Sequence, residues 1–242
     1  MRQAPIVLVH GAWQTAATWD LVSPHFRKSG RRVFNALLTG LEADANALTE
    51  AVNLETHTRE VEALLETENL NDVVLVGHSY AGMIITGVAE RVRRRIAHLV
   101  YIDAFVPDHG QSALQLLPDS IRDAFRKQAE ADGGWRLRSS DRQLDLWGLE
   151  DGPARDFVRA RLCDFTIRCF EQPLVAPNHA ATTVARTYIS CVREGYPAKI
   201  VFDQFARRAQ REAWTYHELP TGHDCHVESP EVVSELLLKA AM

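Results

Sequence analysis

Residues 73–82 read Val-Val-Leu-Val-Gly-His-Ser-Tyr-Ala-Gly and decide the fold of this chain. The apolar run favours a buried strand, and the pattern that follows favours a helix. A serine between a strand and a helix, with small residues two before it and three after it, is typical of a nucleophile elbow. Gly77 and Gly82 meet this requirement, which arises because the strand and helix backbones approach closely at the turn. Ser79 is therefore the predicted nucleophile.

Strand-like and helical stretches alternate on both sides of this turn. The alternation continues to about residue 108 and resumes after residue 180. Such a pattern predicts βαβ units and a mostly parallel sheet of about six strands, flanked by helices. The predicted strands span residues 5–10, 32–38, 72–76, 97–102, 184–191 and 213–219.

The segment 109–180 interrupts the alternation. It contains two amphipathic stretches, residues 120–131 and 153–162, together with scattered aromatic residues, but no apolar strand-like run. We therefore expect a helical cap, formed by residues 109–180, inserted into a core formed by residues 1–108 and 181–242.

A serine hydroxyl needs a base, and the base needs an acid that orients it. In enzymes built on such an elbow, the histidine follows the last strand of the sheet. Residues 221–226, Thr-Gly-His-Asp-Cys-His, occupy that place. His223 is favoured over His226 because it follows Gly222 directly and lies nearer to the strand. Two histidines alone make a poor metal site, so no metal or other cofactor is expected.

The acid that orients His223 is expected shortly after a strand of the sheet. Glu194 comes just past the predicted strand 184–191 and is the preferred acid. Asp103, at the end of the predicted strand 97–102, is the alternative, because some enzymes of this kind place the acid there. Asp203 is disfavoured because it lies inside the next predicted helix.

The first strand ends in His-Gly-Ala-Trp at residues 10–13, which predicts the other half of the same site. The amide of Tyr80 begins a helix, where unpaired N–H groups and the helix dipole favour an anion. The amide of Ala12 is predicted to face it across the carbonyl oxygen of a substrate, so that the two amides form an oxyanion hole.

Three tryptophans are candidates for substrate contact. Trp13 follows the first strand, and Trp135 and Trp147 lie in the predicted cap. Aromatic side chains beside a few polar groups are typical of small-molecule pockets. The expected substrate is a small hydrophobic or aromatic ester.

Composition argues against several other functions. The 242 residues carry a net charge of −5 with the two signs mixed, so nothing favours nucleic-acid binding. No apolar run approaches the roughly 20 residues of a membrane span, and no secretory signal pattern is present. The four cysteines show neither CxxC nor zinc-site spacing, which predicts free thiols. We expect a cytoplasmic protein with no membrane partner, and a homodimer is left open.

Four stretches together resemble the plant methylesterase and hydroxynitrile lyase family and its bacterial esterase relatives, within the α/β-hydrolase superfamily. They are Val-Leu-Val-His-Gly-Ala-Trp at 7–13, the elbow at 74–82, Tyr-Ile-Asp-Ala-Phe-Val-Pro-Asp at 101–108, and Gly-His-Asp-Cys-His-Val-Glu-Ser-Pro at 222–230. The resemblance implies an α/β-hydrolase fold and a carboxylesterase with Ser79 as nucleophile and His223 as base. Glu194 stands where that family normally has Asp.

Two further functions remain as alternatives. One group of lyases in this family has Lys directly after the histidine, whereas this chain has Asp224, whose negative charge disfavours developing cyanide. A non-catalytic small-ligand binding protein on the same fold is the other alternative. The presence of both Ser79 and His223 disfavours it.

Overall fold

The computed structural model describes residues 3–42 and 47–241 of the chain. Six strands form a parallel sheet in the order β2-β1-β3-β4-β7-β8, and two short strands form a separate antiparallel pair, β5-β6. The predicted α/β fold with a six-stranded sheet is confirmed. The strands are β1 (Ile6–Val9), β2 (Val33–Asn35), β3 (Val73–His78), β4 (Ile96–Ile102), β5 (Arg136–Leu137), β6 (Phe165–Thr166), β7 (Ala185–Cys191) and β8 (Thr215–Leu219).

Helices cover both faces of the sheet. Alternate strand residues point to opposite faces, so Val7 and Leu75 enter one apolar cluster while Leu8 and Val76 enter the other. Helices α2, α3 and α9 contribute to the first cluster, and α1 and α11 to the second. The helices are α1 (Ser23–Lys28), α2 (Leu54–Thr67), α3 (Ala81–Val92), α4 (Ala113–Leu116), α5 (Asp119–Glu130), α6 (Asp141–Leu146), α7 (Pro153–Arg159), α8 (Ile167–Glu171), α9 (Lys199–Arg211), α10 (Cys225–Glu228) and α11 (Pro230–Ala240).

The strand register brings the loops that carry the predicted site to one edge of the sheet. Val9 of β1 pairs with Gly77 of β3, Gly77 pairs with Tyr101 of β4, and Tyr101 pairs with Tyr188 of β7. All these strands are parallel, so their carboxyl ends open at the same level. Ligand sites of open parallel sheets form at this edge.

The chain between β4 and β7 forms the helices α4–α8 and the β5-β6 pair, which cover that edge. The indole nitrogen of Trp13 donates a hydrogen bond to the carbonyl oxygen of Leu137 at 3.1 Å. The amide of Cys163 donates to the carbonyl oxygen of Trp13 at 2.9 Å. The loop after β1 is thereby tied to the segment that covers the sheet edge.

Within residues 3–42 and 47–241, no helix has the length and apolar character needed to cross a bilayer. The four cysteines are all free, and three of them are buried.

Candidate active site

Ser79 lies directly after β3 in a strained turn. Its φ is 57°, in the left-handed region that residues other than glycine adopt only at a cost in energy. The amide of Ser79 donates to the carbonyl oxygen of Ile102 at 3.1 Å, and its carbonyl oxygen accepts from the amide of Phe105 at 3.1 Å. Hydrogen bonds to β4 and to the loop after it therefore hold the serine in the conformation of a nucleophile elbow.

The two glycines of the elbow are required by close backbone approach. A Cβ on Gly82 would lie 1.9 Å from the carbonyl oxygen of Phe105, and a Cβ on Gly77 would lie 2.8 Å from that of Ala81. Backbone atoms cannot yield as a flexible side chain can. The structure thus gives the physical reason for the small residues on which the elbow prediction depended.

His223 lies in the loop between β8 and α10, and its side chain is 1 % exposed. Its Nδ1 is 2.7 Å from Oδ2 of Asp103, which is also 1 % exposed. The backbone of His223 is fixed at both ends of the residue. Its amide donates to the carbonyl oxygen of Trp147 at 2.8 Å, and its carbonyl oxygen accepts from Nε2 of His78 at 3.0 Å.

Asp103 accepts two further hydrogen bonds. The hydroxyl of Tyr196 donates to Oδ2 at 2.5 Å, and the amide of Cys191 donates to Oδ1 at 3.3 Å. Burial raises the pKa of the Asp103 carboxyl to about 7, while these two hydrogen bonds act in the opposite direction. Burial also lowers the pKa of His223 below its ordinary value. His223 is therefore uncharged at neutral pH, which is the form that a general base needs.

The structure corrects the preferred acid of the predicted triad. Glu194 lies in the turn between β7 and α9 with its side chain exposed to solvent, and Asp103 is the carboxylate that contacts His223. The physical reason is the sheet order, because β4 lies between β3 and β7 and its end is adjacent to Ser79. The end of β7 supplies instead the Cys191 amide that binds Asp103. Asp203, the disfavoured candidate, pairs with a lysine inside α9.

The loop after β1 passes directly beside the serine. A Cβ on Gly11 would lie 2.9 Å from the Cβ of Ser79. Within the described ranges, the amides of Ala12 and Tyr80 donate to no carbonyl oxygen of the backbone, so both are available to an incoming oxygen atom. A free amide next to the serine in the chain and another in the loop beside it provide what an oxyanion requires.

An aromatic cluster lies against the elbow. Trp13 packs on three rings at centroid distances of 5.3 to 5.6 Å, and Tyr80 packs on two of the same rings at 5.2 and 5.6 Å. We call this group the aromatic cluster; its members are Trp13, Tyr80, Phe125, Phe165 and Phe170. Residues 109–180 supply all three phenylalanines; the sequence shows Phe165 and Phe170 only as scattered aromatic residues and Phe125 only as part of the amphipathic stretch 120–131.

The other two predicted tryptophans occupy different places. The ring centroid of Trp147 lies 6.0 Å from that of His223. Trp135 is half-buried, with the guanidinium of Arg136 4.9 Å above its ring, and it lies outside the aromatic cluster. Phe202 of α9, which sequence reasoning missed, stacks on His223 at 4.6 Å and 18°. The signal for it was the apolar face of α9.

A cavity of about 790 Å³ lies between the loops after β1 and β2 and the cap segment. Its lining includes Thr15, Glu42, Arg136, Cys163 and Asp164, and it includes neither Ser79 nor His223. Cys163 is the residue hydrogen-bonded to Trp13.

Fold and site together define a hydrolase with a serine elbow, and comparisons with known proteins agree. Residues 6–236 match the model of the family described as "Alpha/beta hydrolase family". The chain belongs to this family. It is an ester hydrolase, because a relative that matches 97% of the chain is an esterase and shorter matches include several methylesterases.

Among these relatives is the carbendazim hydrolyzing esterase of Nocardioides sp. (strain SG-4G), which is 36% identical over 97% of this chain and 98% of its own length. Methylesterase 1 of Arabidopsis thaliana is 31% identical over 66% of this chain and 60% of its own length. An extracellular alpha/beta-hydrolase from a Paenibacillus species has the same fold. It is 22% identical, with a TM-score of 0.85 over 98% of this chain and 99% of its own.

Proposed function

We propose that Ser79, His223 and Asp103 form the catalytic triad of a carboxylesterase. The 2.7 Å hydrogen bond between His223 and Asp103, at the sheet edge where Ser79 is held in its strained turn, carries the proposal. Because Nδ1 of His223 is engaged with Asp103, its Nε2 is left for the serine hydroxyl. Such serine–histidine contacts are often long in free enzymes and tighten when substrate binds.

The reaction has two steps. His223 takes the proton of Ser79 as the serine oxygen attacks the ester carbonyl, and Asp103 stabilises the resulting imidazolium. The amides of Ala12 and Tyr80 receive the oxyanion, and removal of one such donor typically costs about 3 kcal/mol of transition-state stabilisation. The alcohol leaves with the proton from His223. Water, activated by the same histidine, then releases the acid from the acyl-enzyme.

The aromatic cluster supports a small hydrophobic or aromatic ester as substrate. The cluster packs on Tyr80 of the elbow, and Phe202 stacks on His223, so aromatic rings adjoin both the nucleophile turn and its base. The Nocardioides relative is named for the hydrolysis of carbendazim, a methyl carbamate of an aromatic heterocycle. Carbendazim is therefore a second probe beside p-nitrophenyl esters. Residues 109–180 are proposed to act as the cap that excludes water from this pocket.

The proposal is tested by covalent labelling combined with turnover. The enzyme is treated with a fluorophosphonate, and the labelled peptide is identified by mass spectrometry. We expect one label on Ser79, and a loss of p-nitrophenyl butyrate turnover of about 10⁴-fold or more in Ser79→Ala. Ser139→Ala, a change within residues 109–180, is the matched control. It is expected to keep both the label on Ser79 and the turnover of p-nitrophenyl butyrate. Labelling of another residue, or turnover retained by Ser79→Ala, would refute the triad.

Position 224 gives the lyase alternative no support. Asp224 is fully buried and accepts a hydrogen bond from the side-chain amide of Gln14. Its carboxylate thus lies in the interior, and the position presents no cation to a leaving cyanide. Addition of a cyanohydrin to the enzyme is expected to release no aldehyde above the uncatalysed rate.

A cytoplasmic location is also proposed, on the strength of the free cysteines, because free thiols persist in reducing compartments. Cell fractionation checks it, and recovery of the enzyme outside the cytoplasm would overturn it. The homodimer left open by the sequence stays a prediction.

A further inference from the structure

A second group of buried polar side chains lies next to the triad, and the proposed reaction does not use it. His78 precedes the nucleophile, while Asp224 and His226 follow the catalytic base in the chain. All three are at most 1 % exposed. One potential ligand atom from each of them lies within 4.8 Å of the other two. We call these three residues the His–Asp cluster.

The atoms of the cluster lack partners. Within the described part of the chain, Nδ1 of His78, Oδ2 of Asp224 and both ring nitrogens of His226 are buried without a hydrogen bond. Burial of one unpaired polar atom typically costs about 1 to 3 kcal/mol, and an unpaired carboxylate costs more. Several such atoms converging at one place therefore indicate a ligand that satisfies them together.

Neighbouring residues orient two of the three side chains. Nε2 of His78 is 3.0 Å from the carbonyl oxygen of His223. A carbonyl oxygen only accepts, so Nε2 carries the proton and the lone pair of Nδ1 is free. Gln14 donates to Oδ1 of Asp224 at 2.5 Å, and this oxygen is also 4.0 Å from Nε2 of His226, while Oδ2 makes no hydrogen bond. Metal-binding histidines and carboxylates are typically fixed in this way by a hydrogen bond on their other atom.

We propose that the His–Asp cluster binds a divalent transition-metal ion of the zinc class. Two imidazoles and one carboxylate are ligands that Zn²⁺ and Co²⁺ accept. An ion also balances the charge that Asp224 carries when it is ionised, which a water molecule cannot do. Zinc-like bonds place tetrahedral ligand atoms about 3.4 Å from one another, so atoms up to 4.8 Å apart must approach each other by about 1.4 Å. The ring of His226 makes no hydrogen bond that opposes this movement and is held by packing on Trp19 at 4.4 Å and on His78 at 4.6 Å.

Occupancy of the site opposes the esterase reaction. The ring centroids of His78 and His223 are 4.4 Å apart. A positive ion beside His78 disfavours the imidazolium that forms on His223 in the transition state. The metal-loaded enzyme is therefore slower, by at least about tenfold, and the effect acts on catalysis rather than on substrate binding.

Cobalt binding tests the inference. The enzyme is dialysed against EDTA and titrated with Co²⁺, and visible absorption is recorded together with p-nitrophenyl butyrate turnover. We expect one Co²⁺ per chain, a d–d spectrum of nitrogen and oxygen ligands, and inhibition that follows occupancy. Asp224→Asn and His226→Gln are expected to lose at least about 100-fold in affinity and to escape inhibition. His25→Gln, on α1 and outside the cluster, is the matched control and behaves like the wild type.

Several results would overturn the site. These are absence of stoichiometric Co²⁺ in the wild type, a thiolate-to-cobalt charge-transfer band, and equal affinity in the cluster variants and the control. If the variants fail to fold, anomalous diffraction from Zn²⁺-treated wild-type crystals decides the matter. An anomalous peak between His78, Asp224 and His226 supports the site, and ordered water alone at that place refutes it.

Discussion

Asp103 and Asp224 are two carboxylates with the same burial and different partners. Asp103 is 1 % exposed and Asp224 is 0 % exposed, and burial raises the pKa of each to about 7. Asp103 accepts hydrogen bonds from His223, Tyr196 and the Cys191 amide. Asp224 accepts one, from Gln14, and its second oxygen has no partner among residues 3–42 and 47–241.

The difference shows that burial alone does not define a catalytic carboxylate. Hydrogen bonds to the charged form stabilise the anion and fix its direction, so Asp103 is prepared to orient His223. Asp224 has comparable desolvation and only the hydrogen bond from Gln14, so its second oxygen remains available to a ligand. Satisfied polar groups indicate a preorganised site, and unsatisfied ones indicate a site that something else completes.

The largest expected effect is a difference in esterase activity between variants of Asp103 and of Asp224. Asp103→Asn removes the acceptor that fixes the tautomer of His223, and we expect kcat/KM for p-nitrophenyl butyrate to fall by about 10⁴-fold. In the metal-free enzyme, Asp224→Asn is expected to change it by less than about threefold. Glu194→Gln, a surface change of the same kind, is the control and should have no effect. A strong loss in Glu194→Gln with an active Asp103→Asn would reverse the assignment of the acid.

The buried histidines, like the two buried carboxyls, make the free energy of unfolding depend on pH. Burial lowers the pKa of His10 to about 4 and also lowers that of His57, His78, His223 and His226. Below pH 6.5 the unfolded chain binds protons on these residues and the folded chain does not. The free energy of unfolding therefore decreases as the pH is lowered. A histidine that stays uncharged in the folded protein down to pH 5 lowers the free energy of unfolding by about 2 kcal/mol between pH 7 and 5.

The two buried carboxyls act with the opposite sign. Their pKa values are raised, so the stability that they contribute is present at low pH and is lost as pH rises through about 7. Five histidines outnumber two carboxyls, and we expect a net loss of several kcal/mol in the free energy of urea unfolding from pH 7 to 5. A constant or rising free energy over that range would show that the histidines are charged in the folded protein.

The sequence predicted those parts of the fold and site that depend on local pattern. The elbow at Ser79, the strand runs and the histidine loop after the last strand each have a signature within about ten residues. Glu194 was preferred because it follows a strand, as Asp103 also does. The choice between them depends on the sheet order β3-β4-β7, which a linear pattern does not contain.

Other features could not be predicted for the same reason. Trp13, Trp135 and Trp147 look alike in the sequence, yet only Trp13 joins the aromatic cluster. His226 and His223 were noted as a pair too small for a metal site. The third ligand, His78, is about 145 residues away in the chain and comes close only because its strand ends beside the histidine loop.

The hydroxyl of Tyr196 gives the smallest and most specific test of the comparison, because it is a hydrogen bond that Asp103 has and Asp224 lacks. Tyr196→Phe removes a donor to the charged carboxylate, so the pKa of Asp103 rises and the acid limb of the pH profile moves to higher pH. We expect kcat/KM at neutral pH to fall by about tenfold, with most of the loss recovered at alkaline pH, where Asp103 is charged again. Tyr216→Phe, which removes a hydroxyl bonded to Glu218 on β8, is the matched control and should leave the profile unchanged. A loss that is equal at every pH would mean that Tyr196 supports the fold rather than the charge of Asp103.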